Sequence, residues 1–430
     1  MFRMSLITLL ALIFVAPLLA KDAPHVLQAG RVVEPPPMDR PDHNTPFTDP
    51  VFGSNLIRVS NRGDEGGYGT HIYSQLQAFS VDNEYLLMVE DGFYVIRSME
   101  DFSAVDVDTS SWNAPRWHPT QPGTVVHYDS NDDTTVRVQL TRMDGSEPET
   151  IYTFPSEYTH IRNSQSFDEI SRDGAWMGGM LTRDDGVSVI FALNLQTATL
   201  GAVLPIDDLY TSACTPDPEW GIVEPDWIGV SPLGRYLVVQ WVRDGTARCS
   251  GLESFDPETG AFIGRSYDGH QHGDLGLTPD GEPFFMTFEL ASPEDPNRPA
   301  IAMRMLPGTA TVSEPIFLLT TEWGNPGHIS CQGPAGVCLV SNSGFDDDIW
   351  LPYERELLLL NINGRLNRLA HHRSSECDYW TQPRGTISAD GRYVAFTSDW
   401  MHGEPCSDGP EGDVYILDRG ILVNPRSIDG

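Results

Sequence analysis

A short motif recurs along this chain and limits its fold more than any other feature. A polar-to-apolar segment runs into a tight Asp/Gly turn, and a β-branched or aromatic segment leaves it. The turns are Ser80-Val81-Asp82-Asn83, Ser171-Arg172-Asp173-Gly174, Ser231-Pro232-Leu233-Gly234, Thr278-Pro279-Asp280-Gly281 and Ser388-Ala389-Asp390-Gly391. Asp-Gly and Asp-Asn supply positive φ at little cost, which tight hairpins require. Two weaker copies fill the gaps, at residues 118–123 and 332–336. The segments that follow, such as Tyr85-Leu86-Leu87-Met88 and Tyr393-Val394-Ala395-Phe396, alternate or run apolar as strands do. Seven landmarks, at residues 80, 118, 171, 231, 278, 331 and 388, are spaced as four-stranded blades with variable loops would be. The expectation is an all-β fold, a seven-bladed β-propeller over residues 47–420. Residues 55–60 read as a strand with no turn partner, placed to close the ring against a last blade ending at residues 413–418. Two stacked β-sandwiches are the alternative.

The two ends read differently. Arg3 precedes a largely apolar run at residues 6–19, with Ala16-Pro17 and Ala20 ahead of Lys21. A basic residue, a short apolar stretch and a small residue at the cut are the marks of an exported leader, here residues 1–20. An uncleaved anchor is the alternative, although the run is short for a span. Residues 21–46, with Glu34-Pro35-Pro36-Pro37, read as a flexible lead-in, and residues 421–430 as a tail. No later segment has about 18 uninterrupted apolar residues, so no membrane span is expected in the mature chain. The expected location is secreted or periplasmic.

Charge narrows the partners. Sixty-one acidic residues against 27 basic ones give a formal net charge of −34, and Lys21 is the only lysine. So negative a field opposes nucleic acid and anionic lipid, and polyanionic sugars too unless arginines gather at the site. Cys214, Cys249, Cys331, Cys338, Cys377 and Cys406 are an even set, as disulfides in an exported chain would be. Pairing of sequence neighbours is expected, because each bridge would then close within one blade or its loop. No C-x-x-C, G-x-S-x-G or H-E-x-x-H occurs.

Propellers carry function at one mouth of the channel, on loops leading into the inner strands. Those loops precede the turn landmarks, and nine of the twelve histidines occur there if His127, inside a strand, is counted with the second unit. They include Gly69-Thr70-His71, Arg116-Trp117-His118, His160-Ile161-Arg162, His270-Gln271-His272-Gly273-Asp274, Gly327-His328 and His371-His372-Arg373. Asp378-Tyr379-Trp380-Thr381-Gln382-Pro383-Arg384 follows the last of these. A rim of imidazoles suits metal binding or acid–base chemistry. Taken singly, each histidine also reads as a structural hydrogen-bonder, each arginine as a partner of blade-edge acids, and Trp117, Trp323 and Trp380 as core.

The run from Leu369 through Gln382-Pro383-Arg384-Gly385-Thr386-Ile387-Ser388-Ala389-Asp390-Gly391 to Asp399 resembles the last blade of oligogalacturonate lyases. Those are TolB-like seven-bladed propellers. Residues 71–88 resemble their first blade, and residues 55–60 their closing strand. The resemblance implies β-elimination on a uronate-containing oligosaccharide, with a divalent ion of manganese or calcium type at the mouth. It implies His328 and Gln382 as metal contacts and His272 as base. The clustering of histidines taken together with it adds His372 as a further metal or substrate contact and Arg384 with Arg373 as the clamp on the uronate carboxylate. Arg116, His71, Trp380 and Tyr379 are the expected substrate contacts. The family's last blade has His-Pro-His where this chain has Gln382-Pro383-Arg384, so two imidazoles are replaced. The other classes open are a non-catalytic TolB-like propeller that binds glycan or protein, and a hydrolase using paired carboxylates.

Overall fold

A computed structural model describes residues 30–129, 135–162, 170–306, 312–344, 349–400 and 411–420. The expected leader, the first part of the lead-in, the tail and Cys406 lie outside the described residues.

The repeated turn has a chemical cause. In four of the seven landmarks the serine hydroxyl accepts the N–H five residues on: Ser80 from Tyr85, Ser171 from Trp176, Ser231 from Tyr236 and Ser388 from Tyr393. Where an aspartate stands two residues after the serine, the same hydroxyl donates to it, as Ser171 does to Asp173 at 2.6 Å. The residue closing the turn has positive φ, 72° at Gly174 and 75° at Gly391. A Cβ there is strained, so glycine or asparagine is used. Each turn delivers the chain into an antiparallel partner strand.

The strands form seven sheets in sequence order. Their first strands are Gly69–His71, Trp112–Trp117, Tyr158–Ile161, Pro225–Val230, Gly273–Leu277, His328–Ser330 and Thr386–Ile387. Consecutive first strands neighbour one another where blades five, six and seven meet, which places them innermost. Apolar residues of adjacent blades interlock between the sheets. Met180 and Ile190 of blade three, for example, pack with Ile228, Val239 and Trp241 of blade four. The protein is a seven-bladed β-propeller. One seven-residue α-helix, Ile206–Ser212, interrupts the β pattern among the described residues.

The last sheet contains both ends of the chain. Asn55–Arg58 pairs antiparallel with Asp413–Asp418, with Leu56 opposite Leu417, and Phe47–Thr48 adds a fifth strand outside it. Asp413 is the polar pin of this seam. Its carboxylate, fully buried, takes hydrogen bonds from Ser60 Oγ at 2.7 Å and from Arg58 Nη1 at 3.1 Å, and it pairs with Arg40. Ahead of the seam, residues 30–46 run along blades six and seven. Arg368 donates to the Arg31 carbonyl, His371 bonds the Val33 carbonyl, and Trp400 donates to that of Met38.

Two bridges are formed within the described residues, Cys214–Cys249 and Cys331–Cys338, both between sequence neighbours as expected. Cys377 is also disulfide-bonded.

Candidate functional site at the channel mouth

In each blade the inner strand starts at one mouth and ends at the Asp/Gly turn of the other. Residues at the start of the inner strands therefore share a rim, wherever they fall in the sequence. His71 lies in the first inner strand, His328 opens the sixth, and His272 immediately precedes the fifth. Arg384 lies two residues before the seventh.

These four side chains do meet. The rings of His272 and His328 stack, with centroids 4.7 Å apart and planes at 23°. Tyr73 sets its edge against His328 at 5.5 Å, and its ring lies 5.9 Å from the Arg384 guanidinium. His71 reaches the Pro383 carbonyl with Nε2 at 3.3 Å. Burial pushes the His71 pKa down to about 3, and the positive charge of Arg384 adds to the shift. His328 is held well below the usual imidazole range by burial, then by His272, Arg384 and His71. Both are neutral at physiological pH.

His272 differs from its neighbours. It is exposed, and its Nδ1 bonds the Gly327 carbonyl at 3.0 Å. A carbonyl accepts only, so Nδ1 carries the proton and Nε2 the lone pair. This ring is therefore pre-set as a base. It lines a recess of 100 Å³ together with Tyr73, Gln75, Asp226, Gln240 and His328.

Next to the recess is a larger cleft of 380 Å³, lined by Tyr94, Arg116, Tyr379, Trp380 and Arg384 among others. Tyr73 joins the two, since it lines the recess and packs on Arg384. The cleft has the makings of a sugar site, with aromatic faces and guanidinium donors. Trp380 stacks on Tyr68 at 4.6 Å, and Tyr379 is 45% exposed. Arg116 is buried, with Nη1 donating to the Pro115 carbonyl at 2.9 Å.

Two expected members are elsewhere. His372 is fully buried with both ring nitrogens engaged, Nε2 donating to the Asn342 carbonyl at 2.8 Å and Nδ1 accepting from the Ser374 N–H at 3.1 Å. No lone pair is left for a metal. Arg373 lies 5.4 Å from the ring of Trp400, which packs with Leu56 and Tyr415 in the last blade's core, and not beside Arg384. The reason is geometric. The loop from blade six to blade seven travels from the periphery to the channel, and His372 and Arg373 stand at its outer start. Gln382, half-buried, and Arg384 stand at its inner end.

The donor set does not fit a divalent cation. Among the described residues no three His, Cys, Asp or Glu side chains converge on one point. Of the tryptophans, Trp117 is core, donating to the Ala78 carbonyl at 2.9 Å, whereas Trp323 is 47% exposed. Asp274 is also structural, since its buried carboxylate accepts the N–H groups of Leu275 and Cys331.

The sequence reading missed Tyr73, Gln75, Asp226 and Gln240. Tyr73 and Gln75 directly follow His71, and Asp226 lies in an inner strand, so the same rim rule would have found them. Gln240 lies in a second strand and had no such signal. Asp226 Oδ2 is 3.2 Å from His270 Nε2, and this hydrogen bond raises the His270 pKa. A raised histidine pKa favours the folded state below the unfolded value of ~6.5, and the effect disappears as pH rises through the folded value. An NMR titration is expected to place His270 above ~6.5. Asp226→Asn should return it to the ordinary range.

No protein-family model matches the chain, and no curated protein matches it. Solved structures do. An oligogalacturonate lyase in complex with manganese superposes with a TM-score of 0.58 at 14% identity, covering 87% of this chain and 95% of that one. The fold is that of the oligogalacturonate lyases. A second such lyase, from Vibrio parahaemolyticus, gives a TM-score of 0.58 at 12% identity, covering 87% and 96% of the two chains. TolB from Acinetobacter baumannii is similar over 70% of this chain and 62% of its own, at 14% identity with a TM-score of 0.35.

Proposed function

We propose that this chain is a secreted or periplasmic propeller that binds a uronate-containing oligosaccharide at the channel mouth and cleaves it by β-elimination. The observation that carries the reading is His272, an exposed imidazole whose Nδ1 is held by the Gly327 carbonyl and whose ring lines the recess beside the Arg384 cleft. In the proposed step Nε2 takes the proton from the carbon bearing the uronate carboxylate. The electron pair forms a double bond to the neighbouring carbon, whose glycosidic C–O bond breaks, and the departing oxygen is protonated by solvent. The α-proton becomes acidic enough only if the carboxylate charge is met by a cation, the role given to Arg384. Disulfides and the leader-like N-terminus support the exported location.

The test is direct. The purified protein, offered a panel of uronate-containing glycans with and without divalent ions, should generate the near-ultraviolet absorbance of an unsaturated product. Silence across the panel removes the lyase reading.

A second reading is a glycan-binding propeller without catalysis. It is favoured by the enclosure of Arg384 beneath Tyr379, whose ring lies 4.2 Å from the guanidinium. Binding of the same panel without product formation would establish it.

A further inference from the structure

We propose that Arg384 takes the place of a divalent cation at this mouth, so that the protein binds acidic ligands with a fixed guanidinium and no metal ion. The proposal rests on the mouth being the ligand site, as read above, but not on the elimination step.

Three observations converge on it. First, Arg384 is one of the most buried large side chains in the molecule, 1% exposed, and the one acid whose charge reaches it is Asp378 on its own loop. Its Nη2 donates to Thr70 Oγ1 at 2.8 Å, and its Nε has no partner. A guanidinium cannot shed its proton, so the charge persists. Aromatic faces hold it instead: Tyr379 at 4.2 Å, with Tyr73 and Trp380 each at 5.9 Å. An enclosed cation whose charge is met only from a distance, by Asp378, is costly, which marks a position where an anion is expected.

Second, the imidazoles that would hold a metal are not assembled. His372 is spent on backbone groups, and although His71, His272 and His328 share the rim, among the described residues no three such side chains converge as a metal-binding group. Third, Arg384 sits across Tyr73 from His328. A divalent ion on His328 would be placed next to a buried like charge, where water screens little. The backbone at Arg384 supports a dedicated role. Its φ is 40°, an unusual conformation for a non-glycine residue, and it is kept despite the strain. Tyr379 is the exposed member of the cage, and a ligand carboxylate entering the cleft would displace its ring to reach the guanidinium.

Calorimetry on the purified, chelator-treated protein tests this, with MnCl2, CaCl2, D-galacturonate and D-glucuronate as probes. The wild type should show no stoichiometric uptake of either ion, and uronate affinity should be the same in chelator as in manganese. Arg384→Gln should weaken uronate binding by about tenfold or more, and Arg384→Lys should retain part of it without metal. Arg384→His should gain stoichiometric manganese uptake that His328→Ala then removes, with thermal melts confirming that each variant is folded. The proposal is overturned if the wild type binds one manganese that His328→Ala abolishes. It is equally overturned if uronate binding vanishes in chelator, survives Arg384→Gln intact, or is absent under every condition. Because metal uptake is read without turnover, a missing elimination product would sink the lyase reading and leave this one standing.

Discussion

Asp413→Ala should lower the free energy of unfolding by about 3–5 kcal/mol, the usual cost of removing one member of a buried ion pair. The carboxylate is fully buried and joins Arg58, Arg40 and Ser60 of the N-terminal segment to the final strand. Its loss leaves the Arg58 guanidinium, 5% exposed at the side chain, without its buried partner. Asp64 stays bonded to Arg58 at 2.7 Å, but it is half exposed and screened by water. Urea unfolding provides the measurement, and Asp413→Asn, which keeps an acceptor for Ser60, should fall between alanine and wild type. An unfolding midpoint equal to that of the wild type would show that strand pairing and the apolar contacts of the seam suffice.

For chemistry the largest loss is expected at His272. Under the elimination reading, His272→Ala should reduce the rate of unsaturated-product formation by about 10²- to 10⁴-fold, the range for a positioned general base. The ring is exposed, so the urea midpoint should hardly move. His272→Gln serves as the companion, keeping a hydrogen bond to the Gly327 carbonyl without supplying a base. Undiminished turnover in both variants would transfer the proton-abstracting role elsewhere on the rim. Tyr73 would be the first residue to examine, because it touches both His328 and Arg384.

The architecture was readable because its instructions are local. Ser171 needs an aspartate two residues on and a glycine after that to turn the chain, and these residues are adjacent in sequence. Five clear turns and two weaker copies of them spell seven blades. The mouth was half readable for a related reason. Position relative to the turn reports depth in the blade, so His71, His328, His272 and Arg384, far apart in sequence, fall at one mouth. It fails where a connecting loop is long. His372 lies 16 residues ahead of Ser388, and that distance carries the chain from the outer edge to the channel, so proximity to a landmark stops meaning proximity to the rim. Side chains reaching in from second strands, as Gln240 does, follow from packing between sheets and leave no trace in a repeat.

The pairing of the two ends in one sheet also sets an order of events. Arg58 and Asp413 are separated by 355 residues, so Asn55–Arg58 finds its partner strand Asp413–Asp418 only after the blades between them have been made. Bringing together ends that far apart costs about 5 kcal/mol of chain entropy before any contact forms. Blades two to six can assemble on neighbouring contacts as they emerge. The seventh cannot be completed in that way, because its sheet also needs Asn55–Arg58 from the far side of the sequence.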